Sequence, residues 1–223
     1  MRLPNLELPA WTGTAEDILL YNAHGKSGKN SVPEHLSYAA CGPPPAPWHS
    51  FLTELDSQLD EEVNLHCIGG FAFTVQYGLV RPTYDIDFLP VAPRDFSSRL
   101  LSLAGPNSRL YKKHGVYLQL VNLGVLYLPH GYLDRPVETF PFTYTRLHLS
   151  TLEPYDLALS KLQRDFPQDR EDVKQLALRV PLNSETLRRR YQDEVRPNIA
   201  NVDREDLTIN SWVEMIDGVQ GKR

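Results

Sequence analysis

An apolar run that stops at two glycines, followed by a second run in which acids alternate with apolar residues, constrains this chain more than any other feature. Val63 to Ile68 reads as a short strand ending at Gly69-Gly70, where the missing side chains permit a tight turn and close backbone approach. Phe71 to Leu79 then reads as a helix, bracketed by Gly78 and Pro82, and Tyr84 to Val91 as a second strand. Side chains alternate along a strand, so Asp85 and Asp87 point to one face while Tyr84, Ile86 and Phe88 point to the other. Two carboxylates held side by side repel unless solvent or a divalent cation compensates. Magnesium suits such a pair, because it takes oxygen ligands and keeps water and substrate phosphates in its remaining positions. An exposed sheet edge would tolerate the same pair with no ligand at all.

Helical periodicity frames this unit. Phe51, Leu55 and Leu59 recur every four residues after Trp48, and a further helix is expected around Phe96 to Leu103. A long β-rich stretch from Val116 to Leu128 is expected to bend or split near Gly124. In the C-terminal third, Pro154 opens a helix with Tyr155, Ala158, Leu159, Leu162 and Phe166 on one face. Val173, Leu176, Ala177 and Val180 mark the next, followed by Glu185 to Val195 and Arg204 to Ile216. The expected class is α/β or α+β, with a mixed β-sheet core at 49–150 and a helical region at 151–223. Residues 1–48 hold seven of the 18 prolines and little periodicity, which predicts an N-terminal arm.

Charge and composition remove several function classes. With 23 Lys+Arg against 28 Asp+Glu the formal net charge is -5, which excludes a basic protein that coats nucleic acid. The 41% apolar share suits a folded chain. No run approaches the ~18 apolar residues of a membrane span, and no secretory signal opens the sequence, so a cytoplasmic protein without a membrane partner is expected. Cys41 and Cys67 are too few for a disulfide framework, and His66 beside Cys67 lacks a second ligand pair for zinc, so it reads as a buried strand residue. Gly25-Lys26-Ser27 looks like the end of a phosphate-binding loop, but Leu20 stands where its earlier glycine is required, and a flexible polar loop is the better reading. Neither a Gly-x-Ser-x-Gly elbow nor a dinucleotide-binding glycine fingerprint occurs.

Gly69-Gly70, a 14-residue spacer and Asp85-x-Asp87, with Arg81 and Thr83 just before the acids, resemble the polymerase-β-like nucleotidyltransferase superfamily. The match looks closest to its bacterial branch of abortive-infection and toxin–antitoxin enzymes and their uncharacterised relatives. Lys161-Leu162-x-Arg164 followed by Asp169-x-x-Asp172 resembles the helical signature of the same branch. The resemblance implies that Gly69 and Gly70, with Arg81, Thr83 and Lys161, bind a nucleoside triphosphate. It implies that Asp85 and Asp87 hold magnesium or manganese, and that Lys161, Asp169 and Asp172 belong to the catalytic set. The implied reaction moves a nucleoside monophosphate to an acceptor hydroxyl, on RNA and particularly tRNA or on a protein side chain, in a chain restrained by a cognate antitoxin. Read from the residues alone, Lys161 lies off the apolar stripe of its helix and suits an ordinary solvated lysine. Asp169 shares a side with Val173, Leu176 and Val180; it is either an N-cap after Pro167, with Asp172 favoured by the helix dipole, or a paired carboxylate of the site.

The chain departs from the pattern in two places. No Asp or Glu occurs between Asp95 and Asp134, so the third acid that usually completes the metal site is missing; Gln119, Asn122 and the loop residue Asp134 are the available substitutes. Phe71 follows Gly70 where many relatives carry a serine. These departures keep two alternatives open, a catalytically weakened nucleotide-binding or interaction module and a small-molecule nucleotidyltransferase. Arg188, Arg189 and Arg190 are consecutive on a helix and splay by ~100° each, so they are not expected to form one RNA-facing patch.

Overall fold

The computed structural model describes residues 42–90, 94–199 and 202–221. The Gly25-Lys26-Ser27 segment and most of the expected arm lie outside them. Helix α1 (Trp48–Gln58) buries Trp48, Phe51, Leu52 and Leu55 on one face, as the four-residue spacing requires. Strand β1 (Val63–Ile68) follows and runs into a helical turn, α2 (Gly69–Phe71), continued by a π-helical turn at Ala72–Gln76. Strand β2 (Asp85–Phe88), helices α3 (Arg94–Ala104) and α4 (Arg109–His114), and strand β3 (Tyr117–Leu120) complete the first half of the core. Strands β4 (Val137–Thr139) and β5 (Leu147–Thr151) precede helices α5 (Pro154–Leu159), α6 (Pro167–Arg179), α7 (Ser184–Arg190) and α8 (Val202–Val219).

The five strands form one mixed sheet in the order β3-β2-β1-β5-β4. β1 is antiparallel to β2 and parallel to β5, β2 is parallel to β3, and β4 is antiparallel to β5. Alternation gives the sheet two differently used faces. Val63, Leu65, Cys67, Ile86, Phe88, Leu118, Leu147 and Leu149 pack with α1, α3 and α4 around Phe51 and Leu100. Ile68, Leu89 and Leu152 join the other core, built from Leu157, Leu162, Leu176, Trp212 and their neighbours on the C-terminal helices. Each fully buried Leu or Phe in these cores stabilises by about 1.5–3 kcal/mol. Asp56 in α1 accepts the backbone amides of Thr145, Arg146 and Leu147 at 3.1, 2.7 and 2.8 Å, which ties the start of β5 to the first core.

Several elements differ from the expectations. The helix after β1 begins at Gly69 itself and ends before Gly78, so the glycine turn and the helix start are one feature. The expected Val116–Leu128 strand stops at Leu120. Asn122 Oδ1 accepts the Gly124 amide at 2.9 Å, and that side-chain bond competes with the ladder and closes a 3-10 turn at Leu123–Val125. α4, β4 and β5 were not expected; each is short, and β5 carries His148 and Ser150 among its apolar residues. α5 ends at Leu159, so Phe166 lies beyond it and is 59% exposed rather than on its buried face. His66 is half-buried, with Nδ1 2.9 Å from Ser150 Oγ, and Cys67 is fully buried. No helix among the described residues is long and apolar enough to cross a membrane.

Candidate functional site

Gly69 adopts a φ of +66°, in the left-handed region that side chains disfavour. It is also pressed against β2. A β-carbon there would overlap Asp87 Oδ2 and stand 3.1 Å from Asp87 Cγ. The register explains the approach, since Ile68, the last residue of β1, pairs with Asp87. At Gly70 a β-carbon would meet Thr83 Oγ1 at 2.8 Å and Arg81 Nη2 at 3.3 Å. Two bare backbone units are thus packed directly on Asp87, Thr83 and Arg81, three positions that the sequence had singled out.

Asp85 and Asp87 are half-buried on one face of β2, between buried Ile86 and Phe88. Burial, and then the neighbouring Asp85 charge, push the Asp87 carboxyl up to about 6; Lys161, Arg164 and Arg81 pull the other way. Thr83 donates its hydroxyl to Asp85 Oδ1 at 3.3 Å. On β3 the register sets Tyr117 beside Asp85 and Gln119 beside Asp87. Gln119, one of the three residues available in place of a third acid, is therefore the one that stands beside Asp87 on the neighbouring strand. Tyr117 was missed by the sequence reading, although its alternation with Gln119 was the signal for it. Its phenol holds its proton more firmly than usual through burial and then the Asp85 charge. Asn122 is engaged in its own turn, and Asp134 is exposed in the 3-10 turn Tyr132–Asp134. Among the described residues no group of three His, Cys, Asp or Glu is arranged to hold a metal.

The second motif folds onto the first as a buried charge cluster. Lys161, in the turn after α5, is only 7% exposed, which corrects the reading of a solvated lysine. Its Nζ lies 3.2 Å from Asp169 Oδ1 and 3.6 Å from Asp172 Oδ2, above the ring of Phe73. Asp169, on the first turn of α6, and Asp172, on the second, are fully buried, and a carboxylate in that setting requires partners. Asp169 accepts from Arg164 Nε at 2.7 Å and from the Phe166 amide at 3.0 Å. It is therefore not the N-cap: Phe166 holds that position, and Asp169 reaches back to it from the third helical residue. Burial works against the Asp169 charge, but the Arg164 hydrogen bonds and Lys161 outweigh it and hold the carboxyl below the usual range. Asp172 pairs with Arg81 and accepts from Gln168 Nε2 at 2.9 Å. Arg81 thus links β2's approach to α6 and joins the two motifs. Arg164 belongs to the same cluster and to the same sequence motif, but its pairing with Asp169 does not follow from spacing.

Arg188, Arg189 and Arg190 form no common patch. Arg188 donates to Asn210, Arg189 is exposed, and Arg190 turns inward to Glu153 and Asp156. In this second network burial and Asp156 push the Glu153 carboxyl up to about 7.

Two carboxylates on one strand, a glycine turn closed upon them and a lysine–arginine cluster braced by buried acids form one continuous site. Searches of curated proteins and of solved structures gave no match. Residues 49–220 match the family described as nucleotidyltransferase of unknown function (DUF6036), and the chain belongs to that family.

Proposed function

We propose that the chain transfers a nucleoside monophosphate from a nucleoside triphosphate to an acceptor hydroxyl, with magnesium or manganese at Asp85 and Asp87. The observation that carries this reading is the contact of Gly69 and Gly70 with Asp87, Thr83 and Arg81. It sets backbone at a helix start, a natural phosphate cradle, beside paired carboxylates. The donor set fits the ion: two half-buried carboxylates, one with its pKa raised by desolvation and its neighbour, are relieved by a divalent cation that completes its shell with water and phosphate oxygens. When bound, magnesium supplies positive charge to the phosphates and offsets the charge that develops on the leaving pyrophosphate.

The protein's own groups account for the rest. Before any ligand binds, Asp169 and Asp172 pair with Arg81, Lys161 and Arg164, whose charges also reach Asp87 beside Asp85, so the site holds four acids against three bases. A divalent cation reverses that balance and suits the cluster to a polyphosphate. Asp169 and Asp172 hold Lys161 and Arg81 in place without reorganisation, the condition under which fixed charges act most strongly on a transition state. In the reaction the acceptor oxygen bonds to the α-phosphorus, the bond to pyrophosphate breaks and the hydroxyl proton passes to solvent.

The RNA acceptor, particularly tRNA, and the restraint by a cognate antitoxin rest on the resemblance of the motifs to the toxin branch. Incubation with each α-labelled nucleoside triphosphate, magnesium and total RNA plus protein tests transfer and identifies the acceptor. Wild type should label a macromolecule; Asp85→Asn with Asp87→Asn, or added chelator, should not. Equal labelling by wild type and the double variant would reject the reading. Gln119 beside Asp87 favours a second reading, a nucleotide-binding module with weakened transfer. Magnesium-dependent nucleotide binding without any labelled product would select it.

A further inference from the structure

Phe166 is 59% exposed, yet its place in the fold is tightly determined. The preceding residue, Asp165, takes a φ of +46°, a left-handed conformation that residues other than glycine visit mainly when the side chain is Asn or Asp. Four donors fasten it there: Arg170 Nε and Nη2 at 2.8 and 2.6 Å, Trp212 Nε1 at 3.2 Å and Thr208 Oγ1 at 3.4 Å. On its other side, the Phe166 amide donates to Asp169 Oδ2. A locked elbow therefore turns the ring outward at the start of α6. The backbone of Phe166 caps the helix, a task that requires no aromatic side chain.

The Arg164 guanidinium lies 5.4 Å from the Phe166 ring centroid and is itself held by Asp169. The same carboxylate grips Lys161, and Arg164 and Asp87 feel each other's charge. Two exposed flat π surfaces thus stand at the rim of the cluster assigned to phosphate. An aromatic ring with an adjoining guanidinium is the combination on which nucleobases stack, whatever their hydrogen-bonding edge.

We propose that Phe166 and Arg164 form the platform for the base of the bound nucleoside triphosphate, an inference that rests on the nucleotide reading above. The stacking contact is indifferent to base identity, so the platform contributes affinity for all four nucleotides. Calorimetry with magnesium and either ATP or inorganic tripolyphosphate tests it on wild type, Phe166→Ala and Phe166→Tyr. Phe166→Ala should bind ATP about tenfold or more weakly, with tripolyphosphate unchanged, while Phe166→Tyr keeps both. Phe166→Trp adds an exposed tryptophan whose emission should fall when ATP binds but not when tripolyphosphate does. Unchanged ATP affinity in Phe166→Ala would overturn the platform and leave the nucleotide reading standing. So would an equal loss of both ligands, which would make Phe166 a positioning residue for Arg164. Wild type that binds neither ligand would overturn both claims. Because the ring is exposed, unchanged thermal melting in Phe166→Ala is the control for folding.

Discussion

Replacing Gly69 by alanine tests the contact on which the site is built. Two costs are expected, and the structure separates them. The left-handed φ of +66° penalises a β-carbon by about 1–2 kcal/mol whatever its surroundings. Overlap with Asp87 Oδ2, in a site closed by backbone on one side and β2 on the other, adds about 1–3 kcal/mol of overpacking. Gly69→Ala should therefore lower stability by about 2–5 kcal/mol in urea unfolding, with little change in slope. In an Asp87→Ala background the overlapping carboxylate is gone and only Asp87's β-carbon position, 3.2 Å away, remains. The loss should then shrink to the backbone cost of about 1–2 kcal/mol. The difference between backgrounds, about 1–3 kcal/mol, exceeds the scatter of about 0.5 kcal/mol seen for independent sites. Identical losses in both backgrounds would refute the claim that packing on Asp87 requires a glycine here. A loss below about 0.5 kcal/mol in the wild-type background would refute the conformational argument as well.

The raised Asp87 carboxyl gives a stability that falls with pH. The folded state binds a proton up to about 6 that the unfolded chain releases near 4, so this group's contribution is fully present below about pH 4 and lost as pH rises through about 6. Asp87→Asn should flatten that part of a melting-temperature profile, and a profile unchanged by the substitution would contradict the shift. Asp169→Ala leaves Lys161 and Arg164 facing a buried gap and should cost about 3–5 kcal/mol, whereas a loss below about 2 kcal/mol in denaturant unfolding would reduce Asp169 to a capping residue. Gln119→Asp should create the missing third carboxylate beside Asp87 and tighten manganese binding measured by calorimetry; unchanged affinity would mean that the side chain at this register position does not reach the acids. For the toxin reading, expression without a partner should slow growth and extend RNA 3′ ends in wild type but not in Asp85→Ala, and equal growth with unextended ends in both would reject it.

The parts of this protein visible in its sequence are those written in local periodicity. The apolar run into Gly69-Gly70 and the alternation of Asp85, Ile86, Asp87 and Phe88 follow from a two-residue period, so the acidic face could be read before any fold was known. The buried faces of α1 and α6 follow in the same way from the spacing of Phe51 and Leu55 and of Val173 and Leu176. Spacing could pair Lys161 with Asp169 as a motif but could not decide whether the lysine was wet, because its burial depends on Phe73 from the turn after β1 and on Asp169 and Asp172 from α6 closing around it. β5 escaped notice for a related reason: Leu147–Thr151 acquires its place from pairing with β1, more than 80 residues away, and from the amides held by Asp56. Gln119 became a neighbour of Asp87 only through the β2–β3 register, and Phe166 turned outward only because Arg170, Thr208 and Trp212 hold Asp165 in its left-handed turn. Periodicity records which way a side chain points from its own backbone; which charge, ring or strand it meets there is set by contacts between distant segments, and those exist only once the chain has closed on itself.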